Sequence, residues 1–151
     1  MATPPWWDEL VGVSAILAAA DQAYVDSWRE LSADGDAGDN DAADGDPEDD
    51  PNDVPPVILR LGSLATDFAN HSAEFTPGQT NLLFRLLEDI LTHGDEADGT
   101  AVATGFFESL LNAWDEGFDL ESVWPAVGPE SRAYSRAWNE FWGIESPAWM
   151  R

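Results

Sequence analysis

The chain has 151 residues, 44% of them hydrophobic, and sets 30 acidic side chains against six basic ones, for a net charge of −24. Eight Trp and seven Phe exclude a simple acidic disordered polymer, which is poor in apolar and aromatic residues. The absence of Cys excludes disulfides and thiolate metal sites, and every basic residue is Arg, too few to make the phosphate contacts of a direct nucleic-acid binder.

The length fits a single domain over residues 1–151. The N-terminus, Met-Ala-Thr-Pro-Pro-Trp-Trp, lacks the basic region of a signal peptide. No apolar run approaches the roughly 20 residues of a membrane span. The expectation is a cytoplasmic protein with no membrane association.

In chain order, the first predicted helix covers Asp8–Ser32. Leu10, Val13, Leu17, Ala20, Tyr24, Trp28 and Leu31 recur at spacings of three and four, with Asp21, Asp26 and Glu30 on the opposite face. An acidic segment over residues 33–53 follows. Asp34 to Asp53 holds nine Asp and Glu48, so like-charge repulsion and scarce apolar surface predict a long disordered loop that is dispensable for folding. A calcium loop of the EF-hand type needs oxygen ligands at positions 1, 3 and 5, Gly at 6 and Glu at 12. Starting at Asp34 or at Asp39 puts Gly38 or Ala43 at position 5, so neither register fits. Without this segment the chain keeps 20 acids against six Arg, a net of −14. The folded part is therefore acidic in its own right.

A second helix begins after Pro55 and Pro56, with Val57, Ile58, Leu61, Leu64, Ala65 and Phe68 on its apolar face. The third has the clearest start, a Thr76–Gln79 capping box with Pro77 between. Its stripe is Leu82, Leu83, Leu86, Leu87, Ile90 and Leu91, and Gly94 is its stop. A fourth runs over Ala97–Trp114 with Val102, Phe106, Leu110 and Trp114 inward, ended by Gly117, and a short turn follows within Asp119–Val127. The last opens at Gly128-Pro129-Glu130 and is expected to turn Ala133 or Tyr134, Ala137, Trp138, Phe141 and Trp142 inward. No two-residue alternation predicts a strand. The expected fold is all-α, a single bundle of about five helices with the acidic loop after the first.

The chemistry-bearing residues are few. His71 with Glu74, and His93 beside Asp95, Glu96 and Asp98, fall short of the three or four ligands a metal site requires. No Gly-x-Ser-x-Gly elbow and no Gly-rich phosphate loop is present. The expectation is a protein that is not an enzyme, with no catalytic residues, no cofactor and no metal. Two acidic clusters sit at predicted helix ends: Glu88, Asp89, Asp95, Glu96 and Asp98, and Asp115, Glu116, Asp119 and Glu121. Carboxylates oppose the dipole at a helix C-terminus, and residues that break a local rule are candidates for function. The partner-binding surface expected is Asp115, Glu116, Asp119 and Glu121, flanked by Trp124, with the cluster around Glu88 as the alternative. Trp6, Trp7 and Trp149 lie near the termini, either stapling the chain ends to the bundle or exposed as anchors.

The segments Ala101-Val102-Ala103-Thr104-Gly105-Phe106-Phe107-Glu108, Gly128-Pro129-Glu130-Ser131-Arg132-Ala133-Tyr134 and Ala137-Trp138-Asn139-Glu140-Phe141-Trp142-Gly143 resemble a family of small uncharacterised bacterial proteins of the kind met among immunity proteins of polymorphic toxin systems. The resemblance covers Thr76 to Gly143. It implies an all-α fold and an immunity role, and supplies no catalytic residues. Together with the charge, it leads to the expectation of an immunity or antitoxin-like protein that occludes a basic toxin domain acting on nucleic acid or nucleotides. The alternative is a halophile-adapted acidic protein, whose charge answers to a saline cytoplasm and not to a partner.

Overall fold

Where the apolar spacing predicts one helix over Asp8–Ser32, the chain makes two: α1 (Trp7–Val11) and α2 (Ala15–Gly35). The computed structural model describes residues 3–35 and 54–151, with side chains from 3–31 and 54–151. The Ser14 hydroxyl accepts from the Ile16 amide at 3.1 Å, starting α2 afresh. The break folds α1 back so that Trp7, Leu10, Val13 and Leu17 are all buried. Ala20, Tyr24 and Trp28 are half-buried and Leu31 is exposed, so the predicted stripe weakens toward the end of α2. The predicted acidic loop beyond Gly35 lies outside the described residues.

Asp21, expected on the polar face, is buried. It accepts from Arg60 Nε at 2.9 Å and Arg60 Nη2 at 2.6 Å, and from Trp7 Nε1 at 3.1 Å. Arg60 Nη1 donates to the Thr3 hydroxyl at 3.3 Å, and its guanidinium lies 4.5 Å from the centroid of Trp7. A buried carboxylate persists because a two-pronged guanidinium and an indole N–H replace its water.

Helix α3 (Val57–His71) carries Arg60 and buries Leu61, Leu64, Ala65 and Phe68. The predicted capping box begins α4 (Pro77–His93): the Gln79 amide donates to Thr76 Oγ1 at 3.1 Å, and the Thr76 amide to Gln79 Oε1 at 2.9 Å. Leu83, Phe84, Leu87 and Ile90 face the core, whereas Leu82 is exposed. Gly94 stops α4 with a negative φ, so its role is close approach: a Cβ there would meet the Ile90 carbonyl at 2.5 Å.

The predicted fourth helix is α5 (Glu96–Ala101), a π-helical stretch Val102–Phe107, and α6 (Glu108–Asp115). Five of the six π residues are buried. Gly105 lies against α3 so closely that a Cβ would stand 2.6 Å from the Ile58 carbonyl, which is the physical reason the sequence spends a glycine inside a helix. The rings of Phe68, Phe75, Phe84, Phe106 and Phe107 meet mostly edge to face at 5.0–6.3 Å, forming the centre of the core. A short α7 (Leu120–Val123) and α8 (Pro129–Phe141) complete the described elements, all helical, with no strand among the described residues. The fold is an all-α bundle.

Candidate functional site

Helix α8 departs most from its sequence pattern. The expected inward stripe holds only in part: Tyr134 and Trp138 are half-buried and pack against the core, whereas Ala137 is exposed, Phe141 is 80% exposed and Trp142 62% exposed. The buried face is Ser131, Ser135 and Asn139. Two features fix this rotation. The Glu88 carboxylate of α4 accepts from the Glu130 amide at 2.9 Å, the Ser131 amide at 3.0 Å and the Ser131 hydroxyl at 2.7 Å, capping α8 from outside. Past α8, the Ile144 amide donates to the Asn139 carbonyl at 2.7 Å, and Asn139 Nδ2 donates to the Ser146 hydroxyl at 3.1 Å, which ties the returning chain to the same face.

The rotation leaves an aromatic groove between α6, α8 and the returning chain. It encloses about 850 Å³ and is walled by Leu111, Trp114, Trp138, Trp142, Ile144 and Pro147. Glu108, Asp115 and Glu145 stand among the walls, and none of the lining residues is basic. Arg151 reaches Glu145 from outside, with both side chains exposed and 3.4 Å apart. A smaller recess of about 270 Å³ is lined by Tyr134, Ala137, Trp138, Phe141 and Trp142. Glu108 lines both.

Glu108 is the residue that sequence reasoning missed as a site residue. Its Oε1 accepts from Trp138 Nε1 at 3.0 Å, and the Tyr134 phenol is hydrogen-bonded to it and to Thr104. Burial pushes the Tyr134 phenol above its ordinary pKa, and the Glu108 carboxylate raises it further. Among the described residues no cation pairs with Glu108. The signal available in the sequence is the spacing of Trp138, Phe141 and Trp142, which periodicity alone assigns to the core.

Of the five residues expected to bind a partner, Asp115, Glu116, Asp119 and Glu121 are exposed and Trp124 is buried, and they share no single depression. Asp115 stands in the groove. Glu116 faces a separate depression beside Thr66, Asn70 and Phe118. Asp119 caps α7, accepting from the Ser122 amide at 3.3 Å, and Glu121 is exposed on the first turn of α7. Trp124 is a core residue, edge to face with Trp149 at 5.6 Å and under the Arg132 guanidinium. The alternative cluster is partly structural as well, since Glu88 caps α8 and Asp95 caps α5 by accepting from the Asp98 amide at 2.8 Å. Among the described residues His71 pairs with Glu74, at 2.5 Å, and His93 Nδ1 lies 2.9 Å from the Thr92 hydroxyl. No group of three or more potential metal ligands occurs among the described residues. Trp7 and Trp149 pack into the bundle, as terminal staples would.

Residues 60–143 match the family described as Domain of unknown function (DUF7674). The chain belongs to this family. The DUF7674 segment starts at Arg60 and ends at Gly143, so it contains Glu108, Asp115, Trp138 and Trp142 but not Asp21, Glu145 or Pro147. No curated protein and no solved structure matches the chain.

Proposed function

We propose that this DUF7674 protein binds a strongly basic protein and neutralises it by covering its cationic surface, in the manner of an immunity protein against a toxin domain that acts on nucleic acid or nucleotides. The observation that supports the reading is the groove: exposed Trp142 and half-buried Trp114 and Trp138 beside carboxylates, with no basic residue in its lining, on a chain of net charge −24. A nucleic-acid-directed toxin needs a positive cleft, and a compact anion competes with phosphate for it. Complementary charge speeds capture, with association rates up to about 10⁸–10⁹ M⁻¹s⁻¹ at low salt. Exposed Trp and Phe then supply the apolar contact that keeps the complex together, since Trp is enriched among the residues that dominate interfaces. Acidity acquired only for a saline cytoplasm gives no reason to expose Phe141 and Trp142.

The test is co-expression of the chain with basic toxin domains encoded beside its gene, with growth as the readout, followed by calorimetry at two salt concentrations. Restored growth is expected, with affinity falling as salt rises. A chain that rescues against none of these domains and binds none of them defeats the reading. Circular dichroism separates the alternative: helix is expected in dilute buffer, and helix appearing only near about 1 M salt, where the Debye length is about 3 Å, makes the acidity a salt adaptation.

A further inference from the structure

The chain builds one constellation twice and completes it once. At the N-terminal end, Trp7 Nε1 donates to Asp21, the Arg60 guanidinium grips the same carboxylate through two nitrogens, and its plane lies over the Trp7 ring. At the groove, Trp138 Nε1 donates to Glu108, and a second indole, Trp142, stands 6.2 Å from Trp138 with most of its surface open. The carboxylate and the aromatic faces are present there, but among the described residues no guanidinium pairs with that carboxylate.

We infer that the groove takes an arginine side chain from a segment of the basic partner, the guanidinium pairing with Glu108 and lying on the exposed Trp142 ring. The apolar neighbours of that arginine lie along Leu111, Trp114 and Pro147. Three properties favour arginine. Its planar fork both stacks on an indole and donates to a carboxylate, whereas a lysine ammonium is a strongly hydrated point charge. The groove is partly enclosed and apolar, which strengthens a charge pair inside it. Asp115 and Glu145 add negative charge at the rim and repel acidic segments. The inference rests on the partner reading for the source of the arginine, and on the groove alone for its chemistry.

The experiment titrates the full chain with a short peptide carrying one arginine between leucines, and with the same peptide carrying citrulline or lysine in its place. Citrulline keeps the shape and hydrogen-bonding head but not the charge. Tryptophan fluorescence and calorimetry read the binding. The arginine peptide is expected to bind roughly tenfold or more tightly than the citrulline peptide, with lysine between them. Trp142→Ala and Glu108→Gln are each expected to remove that preference. Trp142 is exposed, so its variant decides the matter if Glu108→Gln disturbs folding. Equal binding of the arginine and citrulline peptides, or a preference that survives Trp142→Ala, overturns the inference. Arginine amide binding as tightly as the peptide also overturns it, because the site would then hold a free cation and not a partner segment. The two readings fail separately. A captured toxin domain whose affinity is unchanged by Trp142→Ala leaves the partner reading standing and removes the groove from it. The arginine preference in peptides without capture of any basic domain does the reverse.

Discussion

The Trp7–Asp21–Arg60 cluster and the Trp138–Glu108 pair use the same chemistry for different ends. In the first, all three partners come from the chain, the carboxylate is buried, and the result is a clamp between α1, α2 and α3. In the second, the carboxylate is half-buried, its hydrogen-bond donors are uncharged, and the neighbouring indole faces outward. The contrast teaches that an indole and a carboxylate do not by themselves announce a binding surface. Whether the chain supplies its own guanidinium decides between a structural joint and an open one.

The contrast is tested most severely by breaking the closed joint. Arg60→Ala leaves the buried Asp21 carboxylate without its cation and is expected to cost about 3–5 kcal/mol, read as a shift in the urea unfolding midpoint. A change under about 1 kcal/mol would show that the joint is ornamental, and the comparison would lose its first half. Next in size is the cap that sets the rotation of α8. Glu88→Ala removes the acceptor of three hydrogen bonds and is expected to cost about 1–3 kcal/mol. It is also expected to broaden the indole resonances of Trp138 and Trp142 in proton NMR, because the Arg132–Trp124 contact is then left to hold the N-terminus of α8 without its cap.

Opening the second joint further is expected to do little to the fold. Trp142→Ala removes an exposed ring and is expected to change stability by no more than about 0.5 kcal/mol, measured by the same unfolding experiment. A loss of several kcal/mol would mean that the ring is part of the core. The smallest effect is on titration. Tyr134 in the folded chain keeps its proton above the ordinary phenol value near 10, so its contribution to stability is complete below that pH and is lost as pH rises through the raised folded value. Absorbance titration of Tyr24→Phe, which leaves Tyr134 as the single phenol, is expected to place the midpoint above about 10. Glu108→Gln is expected to bring it part of the way back, leaving the share due to burial.

The acidic turn selected from the sequence illustrates why a local rule misleads. Asp119 looked badly placed because a helix ends before it, yet it opens the next helix and accepts from the Ser122 amide. Glu88 looked badly placed near the end of α4, yet it caps a helix 42 residues further along the chain. A carboxylate at one helix's C-terminus can be another helix's N-terminal cap, and only the packing tells which. Trp124, read as a flank of the turn, belongs to the core because Trp149 and Arg132 come back to cover it.

What the sequence by itself determined is what depends on near neighbours. The all-α character follows from three- and four-residue spacing, and the start of α4 from Thr76 and Gln79, whose side chain and backbone satisfy each other three residues apart. Most of the inward faces of α3 and α4 follow from their apolar stripes, although Ile58 and Leu82 of those stripes are exposed and Phe84, outside the α4 stripe, is buried. What only the tertiary structure decided is what depends on distant partners. Asp21 is buried because Arg60 lies 39 residues away in sequence. Helix α8 offers a face of Ser131, Ser135 and Asn139 and a face of Trp138, Phe141 and Trp142, and periodicity names both without ranking them. The hydrophobic term favours the aromatic face inward, but Glu88, Asn139 and the returning chain bond to the polar one. Those bonds satisfy the Ser131 amide, the Ser131 hydroxyl and Asn139 Nδ2, so the small polar face packs, Trp138 lies half-buried beside it, and Phe141 and Trp142 are left at the surface.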